Sequence, residues 1–332
     1  MTTSPNTPKL TVAPPLGDAP GQCDVASPTR WNGRTRGGVI GNWFFITVLR
    51  LFGLRVASLV LVPVSLYFLL AAPKALRAST LWRERVGYGS RLWINRLWRG
   101  YRHFFAFGQI LLDRIALISR KEWFRLEFEG EDALRAALGK GKGIVLVSAH
   151  FGNWMAASHV LSKHGVPVNI VAFQGEWQHI HKLLEGAMRG RRFALIAVDG
   201  SINSSLAIMS ALQRGEIVAM HGDRCLGLTG ESCEFLGKPA RFPTGPYLVA
   251  ALTGAPIVHA FGIREGTCHY RLLAYPPTDL AFSPGLNRTA QLRLWMRAFV
   301  ERLEKVARQY PLQWQNFYDF WGETDPHEVF KK

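Results

Sequence analysis

The stretch Gly141–Trp154, GKGIVLVSAHFGNW, constrains the architecture more than any other part of the chain. Ile144, Val145, Leu146 and Val147 form an unbroken apolar run that ends in the small residues Ser148 and Ala149. A run that is apolar at every position, not at alternate ones, describes a strand buried on both faces. His150 stands just past its end, and Phe151, Gly152, Asn153 and Trp154 lead into a helical pattern. A rigid strand end carrying one imidazole is a common mount for a reactive side chain.

The same alternation continues on both sides. Phe124–Glu129 reads as a short strand and Glu131–Leu138 as a helix. Trp154–His164 reads as the helix after His150. Strands follow at Val168–Ala172 and Ala194–Val198, with a helix at Glu176–Met188 between them. A helix at Ser204–Gln213 precedes a strand at Ile217–Met220, and a helix at Thr244–Leu252 precedes a strand at Ile257–Phe261. Tyr270–Ala274 reads as an edge strand and Leu292–Gln309 as a long closing helix. Strands alternating with helices imply an α/β fold with a mostly parallel central sheet flanked by helices.

The N-terminal third differs. Residues 1–30 are rich in Pro, Thr, Ser, Gly and Ala, lack periodicity and read as a disordered tail without the features of a secretory signal. From Trp43 to Ala72 only Arg50 and Arg55 interrupt an apolar run, and Pro63 is expected to kink any helix there. Residues 80–118 read as basic, aromatic-rich amphipathic helices. Between Arg30 and Arg125 stand seventeen Lys or Arg and three acids, which supplies +14 of the chain's net +16. Arg and Trp flanking an apolar run suit an anionic membrane surface, and no nucleic-acid-binding signature accompanies the charge. The expected organisation is a tail at 1–30, a membrane-associated helical segment at 31–120, an α/β domain at 121–322 and a short tail at 323–332. Cys23, Cys225, Cys233 and Cys268 form no paired motif, so neither a disulfide framework nor a metal site is expected.

Candidate site residues cluster at strand ends. His221, Gly222, Asp223 and Arg224 follow a strand just as His150 does, and strand C-termini line the ligand crevice of a parallel sheet. Gly152 and Asn153 open a helix; Asn153 reads as its N-cap, with backbone N–H groups aimed at a ligand. Phe235–Pro246, FLGKPARFPTGP, reads as an irregular loop. In it Lys238 and Arg241 would face an anionic partner, and Thr244 and Gly245 would bind phosphate at a helix start. Asp199 is a second strand-end acid. The pair His179 and His181, with Glu176 and Glu185, reads as a solvated helix face.

The order SAHFGNW, HGDR, FLGKPARFPTGP, LTGAPIVHAF and PLQWQNFYDFW resembles the lipid A biosynthesis acyltransferases, a lauroyl/myristoyl-transferring family within the lysophospholipid acyltransferase superfamily. The resemblance covers roughly residues 35–322. It implies a bacterial inner-membrane enzyme, active on the cytoplasmic side, that moves a fatty acyl group to a hydroxyl or amine of a lipid acceptor. The donor would be a thioester on acyl carrier protein or CoA, a co-substrate and not a resident cofactor. Acyl carrier protein and anionic membrane lipids would be its partners.

In the family motif a His acting as general base is followed, after four residues, by an Asp or Glu. Here His150 is present, but Met155 occupies the acid's position. A thioether neither accepts a strong hydrogen bond nor offsets an imidazolium charge. Asp223 is then the first choice of orienting acid and Asp199 the second. The alternative is a catalytically impaired relative acting as a lipid-binding or scaffold subunit. A soluble hydrolase is disfavoured because no G-x-S-x-G elbow is present. The C-terminal Gln313, Trp314, Asn316, Phe317, Tyr318 and Phe320 match the family pattern and are expected to pack near the site mouth.

Overall fold

A computed structural model of the chain describes residues 38–161, 165–173, 193–198, 202–225 and 230–322. The tails at 1–30 and 323–332, the helix expected at Glu176–Met188 and the acid Asp199 lie outside the described residues.

Three helices come first: α1 (Gly38–Ala71), α2 (Pro73–Arg85) and α3 (Trp93–Ser119). The break in α1 falls at Gly53, with φ 78°, and not at Pro63, which stays inside the helix. Proline loses one N–H but keeps a helical φ, whereas glycine without a Cβ can leave the helical region altogether. α1 runs antiparallel to α3, since Gly108 faces Leu61 and Gly100 faces Leu69. Val48, Leu49, Leu54, Ala57 and Leu61 are buried there with Leu112 and Ala116. The other face of α1 leaves Trp43, Leu51, Phe52, Leu59, Leu66 and Leu70 exposed. By length and apolarity, Trp43–Ala71 is a candidate membrane span.

The rest is α/β. A seven-stranded sheet is built from β1 (Arg125–Glu129), β2 (Ile144–Ser148), β3 (Val168–Phe173), β4 (Phe193–Val198), β5 (Ile217–His221), β8 (Ile257–Gly266) and β9 (His269–Ala274). Their order is β1-β9-β8-β2-β5-β3-β4. Every neighbouring pair is parallel except β8 and β9. The strand at Tyr270–Ala274, expected at an edge, is therefore internal, because β1 pairs with it and takes the edge.

Successive residues of β2 point to opposite faces. Ile144 and Leu146 meet Leu134 and Ala137 of α4 (Glu131–Leu138), and Met155 and Leu161 of α5 (Trp154–Leu161). Val145 and Val147 join the cluster holding Ile208 and Leu212 of α6 (Ile202–Gln213), Tyr247 and Ala250 of α7 (Gly245–Thr253), and Phe299 and Leu303 of α8 (Arg288–Gln309). Helices on both faces explain why the strand is apolar throughout. α8 begins four residues earlier than its apolar periodicity suggests, because Asn287 Oδ1 caps it by accepting from the Ala290 N–H (3.0 Å).

The segment expected to be an irregular loop is instead an antiparallel hairpin, β6 (Glu231–Phe235) and β7 (Lys238–Phe242). Leu236 (φ 53°) and Gly237 (φ 78°) supply the two positive-φ positions that a tight two-residue turn requires. Pro239 is tolerated because this ribbon has only two strands.

Candidate active site

β2 and β5 are parallel neighbours whose last paired residues are Ser148 and His221. The register carries on past the strand ends. Gly222 N–H donates to the Ser148 carbonyl at 2.7 Å. Glycine at 222 suits this close approach, since a Cβ there would lie 2.6 Å from Val147 Cγ1 and force the side chains around it to shift. Two residues beyond the last pair stand His150 and Asp223. Parallel strands lie about 4.8 Å apart, so residues 73 positions apart in sequence become side-chain neighbours.

Asp223 is buried and accepts three hydrogen bonds. His150 Nδ1 donates to Oδ1 at 2.8 Å, His150 backbone N–H to Oδ2 at 3.0 Å, and Trp314 Nε1 to Oδ2 at 3.0 Å. Burial by itself pushes the Asp223 carboxyl up. The His150 charge and hydrogen bond, helped by Arg224 and His221, outweigh it and hold the carboxyl well below the usual carboxylate range. An ionised carboxylate can only accept, so Nδ1 of His150 carries a proton and Nε2 is the basic nitrogen. The ring of His221 packs against that of His150, with centroids 4.0 Å apart.

The turn that carries His150 is fastened on two sides. Gln315 N–H donates to the His150 carbonyl (2.7 Å) and Gly152 N–H to the Gln313 carbonyl (2.9 Å). Asn153 N–H reaches the Gly262 carbonyl on β8 at 2.7 Å. Arg114 of α3 donates to the Gly152 carbonyl (3.2 Å) and to Gln315 Oε1 (2.8 Å). Gly152 adopts φ 57°, and a Cβ there would stand 1.9 Å from the Gly262 oxygen, so no other residue fits.

Asn153 caps α5, its Oδ1 accepting from Met155 N–H (3.1 Å) and Ala156 N–H (3.3 Å). Those two amides are engaged by the cap, as simple helix capping requires. Met155 itself is buried among Leu146, Leu161 and Val258. Its side chain thus points into an apolar core. Arg224 donates to the Gln315 carbonyl at 3.2 Å and lies over the Tyr318 ring. Lys238 and Arg241 stand on β7, the latter donating to the Gly230 carbonyl (3.0 Å), while Thr244 and Gly245 begin α7. These four occupy elements separate from the His150 turn.

Three contributors escaped the sequence reading. Trp314, expected only to pack, donates to the buried acid. Arg114 and Gln315 hold the turn from elements 38 and 163 residues away. The HGDR string carried a signal for His221, but only the strand register places its ring on His150. On the α5 face of the sheet, a narrow apolar cleft of about 40 Å³ runs between Leu146, Trp154, Leu161, Ile170 and Ala260 and reaches Ser148 and His221.

The sequence profile of a family described as bacterial lipid A biosynthesis acyltransferase matches residues 103–322. The chain belongs to that family. Phosphatidylinositol mannoside acyltransferase of Mycobacterium tuberculosis (strain ATCC 25618 / H37Rv) is 26% identical over 194 residues, 58% of each chain. The protein of the same name from Mycolicibacterium smegmatis (strain ATCC 700084 / mc(2)155) is 23% identical over 193 residues, 57% of this chain and 60% of that one. The chain thus spans less than two thirds of the length of these relatives. The family match begins at His103, inside α3, and takes in His150, Asp223 and Trp314.

Proposed function

We propose that this member of the lipid A acyltransferase family transfers a fatty acyl group from a thioester donor to a hydroxyl or amine of a lipid-type acceptor, with His150 as general base. The observation that carries the reading is the 2.8 Å contact between His150 Nδ1 and the buried Asp223 carboxylate. Nε2 takes the acceptor's proton as its oxygen or nitrogen attacks the thioester carbonyl. The tetrahedral intermediate collapses, the C–S bond breaks, and the imidazolium returns the proton to the leaving thiolate. Asp223 fixes the productive tautomer and offsets the transient charge on the ring, as the third member of a catalytic triad does. The role of the motif acid is in this way filled from the neighbouring strand.

The donor is carried by acyl carrier protein or CoA. The relatives are named for acylating phosphatidylinositol mannoside, and an acceptor with a polar headgroup on a lipid anchor suits the present chain as well. The apolar cleft ending at His221 is the seat we assign to the acyl chain. The exposed apolar face of α1 and the basic helices beside it seat the enzyme on an anionic inner-membrane surface, with the α/β domain on the cytoplasmic side. Arg224, Lys238, Arg241, Thr244 and Gly245 are assigned to the anionic parts of donor and acceptor.

The test is acyl transfer from acyl carrier protein and CoA thioesters to extracted membrane lipids. Transfer by the wild type that is lost in His150→Ala supports the reading. Equal signal from both proteins overturns it, and no transfer by either favours a lipid-binding or scaffold role.

A further inference from the structure

His150 engages both Asp223 oxygens, through Nδ1–H on Oδ1 and its backbone N–H on Oδ2, yet both donors belong to the residue the carboxylate must orient. The one hydrogen bond to the carboxylate from a different segment comes to Oδ2 from Trp314 Nε1 at 3.0 Å, among the hydrogen bonds of the described residues. We propose that Trp314 is a positioning residue: its indole N–H locks the Asp223 carboxylate and so fixes the His150 tautomer that leaves Nε2 basic. The proposal rests on the reading of His150 as the base.

The placement of Trp314 supports this role over simple packing. Its backbone bridges to Phe151, the residue after the base, and it is 1% exposed. Its carbonyl takes a hydrogen bond from His103 Nε2 of α3 at 3.0 Å. Because a carbonyl can only accept, His103 Nε2 carries the proton and Nδ1 accepts from Ser79 Oγ of α2 (2.9 Å). The Trp82 ring of α2 lies 4.3 Å from that of Trp314, and its own N–H is anchored on the Pro311 carbonyl at 2.7 Å. Phe235 of β6 and Phe320 close the remaining sides. The residue is thus gripped through its backbone by α3 and through its ring by α2, the hairpin and the C-terminal segment, with the single polar atom of the ring directed at the Asp223 carboxylate. A residue needed only to fill space at this joint has no use for an N–H on a carboxylate. Phenylalanine would fill most of the volume without leaving a donor to satisfy.

The experiment compares the wild type with Trp314→Phe and with the full-length enzyme carrying benzothienylalanine at 314, a near-isostere in which sulfur replaces the N–H. Steady-state acyl transfer is measured over pH, and ¹⁵N spectra of histidine-labelled protein report the His150 tautomer. The expected result is a roughly tenfold fall in kcat with little change in KM for both variants, together with loss of the pure Nδ1–H tautomer. Wild-type kcat and tautomer in the benzothienylalanine enzyme would overturn the proposal, even if Trp314→Phe were damaged by misfolding. Reduced rate with an unchanged tautomer would also overturn it, since packing alone would then explain the loss. Failure of the underlying reading is distinguishable, because it appears as full activity in His150→Ala whatever happens at 314.

Discussion

Replacing Asp223 by Asn tests the site most directly, because the change is nearly isosteric and its consequence follows from hydrogen-bond bookkeeping. The carboxylate accepts on both oxygens: two donors converge on Oδ2 and one on Oδ1. An amide has one oxygen. Facing it toward the two donors, His150 N–H and Trp314 Nε1–H, turns the NH₂ toward His150 Nδ1. That nitrogen must then become an acceptor, so the proton moves to Nε2 and the base is blocked at the atom that should react. The opposite rotamer keeps the tautomer but sets the NH₂ against two N–H groups in a buried site. Either way the imidazolium loses its counter-charge. By the scale of the same substitution in a serine-protease triad, kcat should fall about 10³–10⁴-fold, or roughly 4–5 kcal/mol of transition-state stabilisation. The assay is single-turnover acyl transfer across pH, with circular dichroism to verify folding. A folded Asp223→Asn enzyme within about threefold of the wild-type rate would refute the assignment.

Three further outcomes are expected. Gly152→Ala should destabilise the protein by at least ~3 kcal/mol and abolish transfer, because φ 57° is combined with a Cβ position 1.9 Å from the Gly262 oxygen; a melting temperature equal to wild type would contradict this. Met155→Glu should not raise activity and should cost about 3–5 kcal/mol, since the carboxylate would enter the apolar cluster of Leu146, Leu161 and Val258; a more active, equally stable variant would refute that account. Acid sensitivity should come in part from His103, which burial pushes down from 6.5 to about 4 despite its bond to the Trp314 carbonyl, with Arg83 adding to the shift. The folded state resists a proton that the unfolded chain accepts, so this contribution is fully present above pH 6.5 and is lost as pH falls toward 4, by roughly 3 kcal/mol over the whole window. Urea midpoints at pH 7.5 and 5 should therefore diverge more for wild type than for His103→Gln, and equal differences would remove His103 from the explanation.

The chain's local chemistry was legible where one element decides its own form. The doubly apolar run 144–147, the alternation of strands and helices after residue 121, and Asn153 as a helix cap all follow from short-range rules, and the described elements fall close to their expected positions. Misreadings arose where form depends on a partner. The hairpin of β6 and β7 looked irregular because Gly and Pro are punctuation in isolation, and the strand at 269–274 looked like an edge because β1 lies some 140 residues earlier. In α1, Pro63 stays within the helix, whereas Gly53 takes the conformation that ends a helical stretch.

The sequence alone determined that a histidine would stand at the end of a buried central strand and that an Asp–Arg pair would stand at the end of another. It could rank Asp223 ahead of Asp199 but not set either beside His150, since strand order is not written in any local pattern. The tertiary structure decided that β5 lies directly beside β2 in register, which brings residues 150 and 223 within 2.8 Å. It also decided that a tryptophan 91 residues further on completes the carboxylate's hydrogen bonds. The physical reason is the same in both cases. Strand pairing and the burial of an aromatic side chain are settled by the packing of the whole sheet and its helices, whereas helix caps and apolar periodicity are settled within a few residues of themselves.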